Sequence, residues 1–262
     1  MNVITSRQHP LCKLVRALNN SRERRKRGLF VAPGGNAVTA ALAARWPLER
    51  LIVSPDDAAN GWEQIAERAE VPLVLADEAI LEYIGDVPSA PDVLAIARMP
   101  RSENKNLSGD GLILILDGIS DPGNVGTLIR SADAAGARAL VTTENSADAF
   151  GLKAVRASAG SVFHLPPLSF EDNSAESLSA RLQRENVPVV IATAHQGQSC
   201  FEFRWPARCA LVLGHETRGV SPVWEDVASA RVTIPMFGRA ESLNVAGAGA
   251  VLLYSWRNSS SR

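Results

Sequence analysis

The stretch Leu112-Ile113-Leu114-Ile115-Leu116-Asp117-Gly118-Ile119-Ser120-Asp121-Pro122-Gly123-Asn124-Val125-Gly126-Thr127-Leu128-Ile129-Arg130 passes from an unbroken apolar run through a turn into a helical repeat. A near-continuous apolar run is what a strand covered on both faces requires, and the helix pattern from Val125 to Ala135 follows it directly. Further strands are expected at 139–142, 162–165, 188–192, 210–213 and 231–234, with helices near 152–157, 174–185, 221–227 and 243–257. Strand and helix alternate, which predicts an α/β fold with a mainly parallel sheet and helices on both faces.

Two more polar islands leave apolar runs: Leu213-Gly214-His215-Glu216-Thr217-Arg218-Gly219 and Ile234-Pro235-Met236-Phe237-Gly238-Arg239-Ala240-Glu241-Ser242-Leu243-Asn244-Val245. Open α/β sheets bind ligands in the loops after the carboxyl ends of their strands, so three such islands point to one composite site. In the first, Pro122 and Gly123 force a turn, and the helix that follows opens with free amides that favour anionic groups. Asn124 supplies both donor and acceptor. Arg130 falls about two turns into the helix, on the side of Gly123 and Gly126 or Thr127, where it reaches the rim. Taken alone, this island reads as an ordinary capped helix start.

In the second island, Gly214 and Gly219 suit a main chain that approaches a ligand closely, and Glu216 sits at a strand exit. His215 reads as a hydrogen-bonded loop residue. With His9, His164 and His195 it forms no metal-ligand spacing, so no metal is assigned. In the third, Ser242 opens a final helix whose run Ala246-Gly247-Ala248-Gly249-Ala250 has low helix propensity, a cost that close packing against another backbone would offset. That run lacks Gly-x-Gly-x-x-Gly spacing, which excludes a dinucleotide fingerprint. The absence of a Gly-x-x-x-x-Gly-Lys-Ser/Thr loop and of a Gly-x-Ser-x-Gly elbow argues against a nucleotide-binding hydrolase.

The chain has 262 residues, 46% of them hydrophobic and 21% charged, enough for one large or two modest globular domains. No apolar run approaches the roughly 18 to 20 residues that span a bilayer, and the N-terminus lacks the apolar core of a signal peptide, so a cytoplasmic protein is expected. Cys12, Cys200 and Cys209 are odd in number and without Cys-x-x-Cys spacing, which predicts buried free thiols rather than a disulfide framework or a zinc site. The net charge of −1 hides an asymmetry. Residues 1–30 carry eight cations against Glu23, a local +7 that leaves −8 for the remainder. Arg22, Arg24, Arg25, Lys26 and Arg27 are dense enough to neutralise phosphates and are candidate RNA contacts, the other reading being a solvated helix end.

Upstream, Leu29–Ala32, Leu51–Val53, Leu73–Leu75 and Val93–Ala97 read as strands between helical stretches near 10–20, 36–45, 61–69 and 78–84, a small α/β unit. The polar segment 101–110 has the composition of a linker, placing the boundary between a domain of residues 1–103 and one of 104–262. The tail 258–262 is expected to fray.

Together the three islands resemble the SPOUT superfamily of S-adenosylmethionine-dependent RNA methyltransferases, specifically the SpoU or TrmH-like branch that methylates ribose 2′-hydroxyls. The resemblance covers about residues 111–257 and includes Ala154-Val155-Arg156-Ala157-Ser158-Ala159-Gly160-Ser161. It implies a C-terminal trefoil knot, an exception to the rule against threaded chains. It also implies cofactor contacts through the main chain at Gly214, Ile234 and Leu243, with Thr193 and Met236 beside them. Asn124, Arg130, Glu216, Ser242 and Asn244 match the polar active-site positions. A free guanidinium titrates above about 12, so Arg130 is expected to position and polarise rather than act as a base.

The first hundred residues resemble the ribosomal-protein-like RNA-binding domain of many members, with departures at Pro33-Gly34-Gly35 and Ser89-Ala90-Pro91-Asp92. In the second island His215 stands for a common asparagine and Thr217 for a common glycine. The implied substrate is RNA, ribosomal or transfer, and the implied assembly is a homodimer through the knotted domain, where Trp224, Tyr254 and Trp256 serve either an interface or the core. A catalytically silent RNA-binding relative is the alternative, separable by S-adenosylmethionine calorimetry.

Overall fold

The computed structural model describes residues 2–100, 107 and 109–260. In chain order its elements are α1 (Pro10–Ala17), α2 (Ser21–Arg27), β1 (Leu29–Pro33), α3 (Gly35–Ala43), β2 (Leu48–Val53), α4 (Pro55–Asp57), α5 (Glu63–Ala69), β3 (Leu73–Leu75), α6 (Glu78–Gly85) and β4 (Val93–Arg98). There follow β5 (Gly111–Asp117), α7 (Pro122–Ala134), β6 (Ala139–Thr142), α8 (Leu152–Ala157), α9 (Ser161–His164), α10 (Ala175–Arg184), β7 (Val189–Ala192), β8 (Gln198–Ser199), β9 (Arg208–Gly214), α11 (Pro222–Val227), β10 (Ala228–Thr233) and α12 (Val245–Ser260). By packing, Met1–Arg101 and Phe150–His164 form one unit, and Ser102–Ala149 and Leu165–Arg262 the other. The expected linker falls largely on 101–106 and 108, outside the described residues.

The first unit is a mixed sheet ordered β1-β4-β2-β3, with β4 antiparallel to β1 and β2, and β2 parallel to β3. Side chains alternate faces along β1. Leu29 and Val31 join Leu11, Val15, Leu18, Ile80 and Ile84 of the flanking helices. Phe30 faces the other way, with ring centroids 5.0 Å from Phe150 and 5.8 Å from Phe163. Residues 162–165, expected as a strand, are not one: 162–164 belong to the helical turn α9, which ends at His164. A short apolar run does not itself distinguish strand from buried helix, and Gly160, at φ +98°, breaks the chain just before it.

The charge run forms a helix of its own, α2. Asn20 Oδ1 caps it by accepting from the amides of Arg22 and Glu23, and Gly28, at φ +65°, closes it. The cations of its last turn sit favourably at the negative end of the helix dipole. Arg24 is a correction to the RNA-contact set: it is 3% exposed and its Nη1 donates to the Leu18 carbonyl at 2.6 Å. Every third or fourth residue of a packed helix turns inward, and in this run that residue is charged.

The second unit is a six-stranded sheet ordered β6-β5-β9-β7-β10-β8, with every pairing parallel. Ile113, Ile115, Ala210 and Val212 pack with Leu178, Leu182 and Trp224 of α10 and α11. The opposite face carries Leu128 of α7 and, on α12, Gly249, whose missing Cβ would meet Leu128 and Leu213 Cδ1, so both faces of β5 and β9 are covered. The small-residue run in α12 thus packs against leucine side chains at Gly249, while Gly247 faces open space. Trp224 is fully buried and Trp256 is 3% exposed, so both are core, whereas Tyr254 is exposed. The expected fraying does not extend to Asn258 and Ser259, which continue α12; 261 and 262 lie outside the described residues.

All three cysteines are buried free thiols, and burial pushes the Cys209 thiol up to about 12. No helix among the described residues is long and apolar enough to cross a membrane.

Candidate functional site

Strand register brings the islands together. Asp117, the last residue of β5, lies opposite Gly214, the last of β9. Ile191 of β7 lies opposite Val212, and Val232 of β10 opposite Ala192. Four neighbouring strands therefore end on one edge, and a cleft of about 330 Å³ opens there, closed by the start of α12. That size is in the range of small-molecule sites. Its lining includes Thr193, Gly214, Glu216, Ile234, Met236, Ser242 and Leu243, seven of the residues singled out from sequence.

The turn after β9 is closed by its own main chain: the His215 amide donates to the Gly219 carbonyl and the Gly219 amide to the His215 carbonyl, both at 2.9 Å. A Cβ on Gly214 would run into the carbonyl of Gly219 and the amide nitrogen of Val220. Glycine at 214 is thus required by the folding back of this turn. Asp117, 2% exposed, ties the same loop to β5 by accepting from the Ser221 amide at 2.6 Å. A buried carboxylate needs such a partner, and the amide supplies it.

Asn124 is in the first turn of α7, where Asp121 caps the helix by accepting its amide at 3.0 Å and Pro122 occupies the first helical position. From there its Nδ2 donates to Glu216 Oε1 at 2.9 Å, joining the first island to the second. Arg130 is exposed and does not line the cleft. Asn244 is also outside the lining: its Oδ1 accepts the Ala246 amide and its carbonyl accepts the Ala248 amide, both at 2.9 Å, so it starts α12. Thr193 donates its hydroxyl to the His195 carbonyl at 2.6 Å and its amide to the Val232 carbonyl at 2.9 Å, fixing the wall formed by β7 and β10.

Among the further residues that line the cleft are His215, Glu225 and Glu241, which no sequence pattern grouped. With Glu216 they put three carboxylates there, and no lysine or arginine is among the described lining residues. Glu225 is paired with Arg231 at 2.6 Å. No spacing in the sequence announces this convergence, because the three acids come from a turn, a helix and a loop. No group of three or more His, Cys, Asp or Glu side chains among the described residues is disposed to hold a metal.

In the other unit, Arg22, Arg25, Lys26 and Arg27 are exposed on α2. Arg27 Nε pairs with Glu23 at 2.8 Å, and that bond, with the surrounding cations, holds the Glu23 carboxyl below its usual value.

Residues 111–254 match the model of the SpoU rRNA Methylase family, and residues 9–95 that of an MRM3-like substrate binding domain. The chain is 30% identical to a 23S rRNA (uridine(2479)-2′-O)-methyltransferase of Streptomyces viridochromogenes, over 96% of this chain and 90% of that protein. It is 29% identical to the 23S rRNA (guanosine(2553)-2′-O)-methyltransferase RlmP of Bacillus subtilis, over 98% and 100%. Its fold is similar to the crystal structure of the SpoU methyltransferase AviRb from Streptomyces viridochromogenes in complex with the cofactor AdoMet, with a TM-score of 0.86 and 28% identity, covering 96% of this chain and 98% of that one.

Proposed function

The chain belongs to the SpoU rRNA methylase family, and on that footing we propose which of its residues carry the family's reaction and which RNA they take. It is an S-adenosylmethionine-dependent RNA methyltransferase that acts on a ribose 2′-hydroxyl. The observation that carries the assignment of residues is the meeting of Asn124 with Glu216 at the edge of a cleft built from the ends of β7, β9 and β10.

The cleft suits the cofactor in charge and in surface. Glu241, with no lysine or arginine among the described lining residues, complements a molecule bearing a sulfonium and an ammonium, and Leu213, Ile234, Met236 and Leu243 provide apolar wall for a purine. When bound, S-adenosylmethionine supplies an electrophilic methyl carbon. Gly214, Ile234 and Leu243 would hold it through main-chain groups, with Thr193 and Met236 completing the walls. Asn124 keeps Glu216 oriented, and Ser242 and Asn244 fix the loop that enters α12. Arg130 holds an RNA phosphate and stabilises the developing alkoxide, a role suited to a fixed cation.

Arg130 lies outside the cleft of its own chain, which supports a homodimer in which the arginine of a second copy completes each site. We further propose that the chain between β10 and the end of α12 threads a loop as a trefoil knot, and that the protein is cytoplasmic. RNA binding is assigned to residues 1–103 and catalysis to 104–262, with Phe150–His164 of the latter packing in the first unit, and the exposed Arg22, Arg25, Lys26 and Arg27 contact RNA phosphates. The preferred substrate is 23S ribosomal RNA. The two relatives above, named for that substrate, support it over nearly the whole chain.

The test combines calorimetry with S-adenosylmethionine and mass-spectrometric mapping of ribose methylation in RNA from cells with and without the gene. Loss of one 23S rRNA methyl group is expected on deletion; a lost tRNA methyl group would overturn the choice of substrate, and absence of cofactor heat would favour a silent RNA binder. Arg130→Ala is expected to abolish turnover with cofactor affinity unchanged. Mixing it with Glu216→Gln should restore activity through hybrid dimers, and failure to restore any would count against the shared site.

A further inference from the structure

The geometry points to His215 as a positioning residue for Glu216, acting through its ring Nδ1. Resting on the methyltransferase reading above, this gives a task to a side chain that it leaves unassigned. The amide of Thr217 donates to His215 Nδ1 at 3.2 Å, and Thr217 Oγ1 lies 3.2 Å from the same atom. A main-chain amide can only donate, so Nδ1 carries the lone pair and the ring proton is on Nε2. Glu216 Oε2 is 3.9 Å from Nδ1, too far for a hydrogen bond and with a lone pair on each side, so His215 does not compete for the carboxylate. Glu216 Oε1 is left to Asn124 Nδ2, at 2.9 Å.

The bond from the Thr217 amide acts on Glu216 through the main chain. The 216–217 peptide joins the two residues, so fixing its N–H toward the ring fixes the plane of that peptide, and with it the direction in which the Glu216 side chain leaves the backbone. The ends of the turn are already locked by the paired His215 and Gly219 bonds, and its base rests on β5, where Gly118 approaches His215 and Asp117 holds the Ser221 amide. Those contacts hold the stem of the turn. At its tip, where Glu216 and Thr217 are exposed, the bond to His215 is the restraint that aims the acid at Asn124.

The test is a set of substitutions at one position. His215→Ala removes the acceptor and is expected to lower kcat by about tenfold or more, with KM for RNA and the Kd for S-adenosylmethionine within about threefold of the parent, because positioning is lost and binding is not. His215→Asn places Oδ1 where Nδ1 stands and accepts the same amide two residues on, as in an Asx turn, so kcat should return to within about threefold. His215→Gln, whose acceptor stands one carbon farther out, should stay as slow as the alanine variant. An alanine variant with parental kcat, an asparagine variant as slow as alanine, or a loss confined to cofactor affinity would each overturn the proposal. The nitrogen-15 spectrum of the unaltered protein is an independent check: a proton on Nε2 is expected, and one on Nδ1 would refute the geometry even if no variant folds. Cofactor binding and turnover of the unaltered enzyme, measured alongside, test the methyltransferase reading separately.

Discussion

Replacing Gly214 by alanine sets a Cβ where the main chain of Gly219 and Val220 already lies. Non-bonded carbons settle at about 3.5–4.0 Å, so the turn must retreat by roughly 1 Å or more. The two bonds between His215 and Gly219 are 2.9 Å long, and a retreat of that size carries both out of bonding range. Each contributes about 0.5–1.5 kcal/mol net, so keeping the turn closed becomes about 1–3 kcal/mol harder. The tip of the turn is exposed, and opening it leaves the buried strands β5 and β9 in place. The cost should therefore appear in ligand affinity, and lower global stability by at most that same amount. At about 1.4 kcal/mol per tenfold, the Kd for S-adenosylmethionine should rise by roughly 5- to 150-fold. Calorimetry measures that change, with denaturant unfolding alongside to show that the fold is retained. Gly238→Ala is the control, since a Cβ at 238 meets nothing within 4 Å. Parental affinity in Gly214→Ala, or an equal loss in Gly238→Ala, would refute the reasoning.

Three other outcomes are expected. In α12, Gly249→Ala drives a Cβ into Leu128 and Leu213 and should destabilise by about 1–3 kcal/mol, whereas Gly247→Ala, facing open space, should stabilise by up to about 1 kcal/mol through helix propensity; thermal unfolding compares them. Arg24→Ala should lower the melting temperature through loss of its bond to the Leu18 carbonyl, while Arg25→Ala should leave stability alone and reduce the salt dependence of RNA binding by about one phosphate contact. Folded Cys209 keeps its proton to about 12, while an unfolded thiol loses it near ~8.5, so unfolding releases a proton between those values and stability falls as pH rises through them. Cys209→Ala should show a shallower alkaline loss in denaturant titrations, and an unchanged slope would contradict the burial of that thiol.

The alternation of strands and helices was legible because each element carries its own period. Leu112–Leu116 is apolar throughout because β5 is covered on both faces, and the helix after it begins at a proline with an aspartate cap. The same logic misread 162–165, where four residues are too few to separate the two periods, and missed α2, whose sequence is nearly all charge. The second and third islands each follow a strand, and Gly214, Glu216, Ile234, Met236, Ser242 and Leu243 from them line one cleft, whereas the first island supplies none of its described lining and meets it through the bond from Asn124 to Glu216.

What the residues alone determined, then, is local: which segments are strands, which are helices, where turns break them, and which polar groups wait at strand ends. Propensity, periodicity and capping act over a few residues and are written in consecutive positions. Only the tertiary structure decided which of those groups meet. The pairing of Asp117 with Gly214, the bond from Asn124 to Glu216 across 92 positions, and the burial of Arg24 depend on sheet order and packing. The same holds for the two glycines of α12, identical in sequence context yet one wedged against leucines and the other open. Contacts between distant residues are set by how whole elements stack, and no local pattern encodes that.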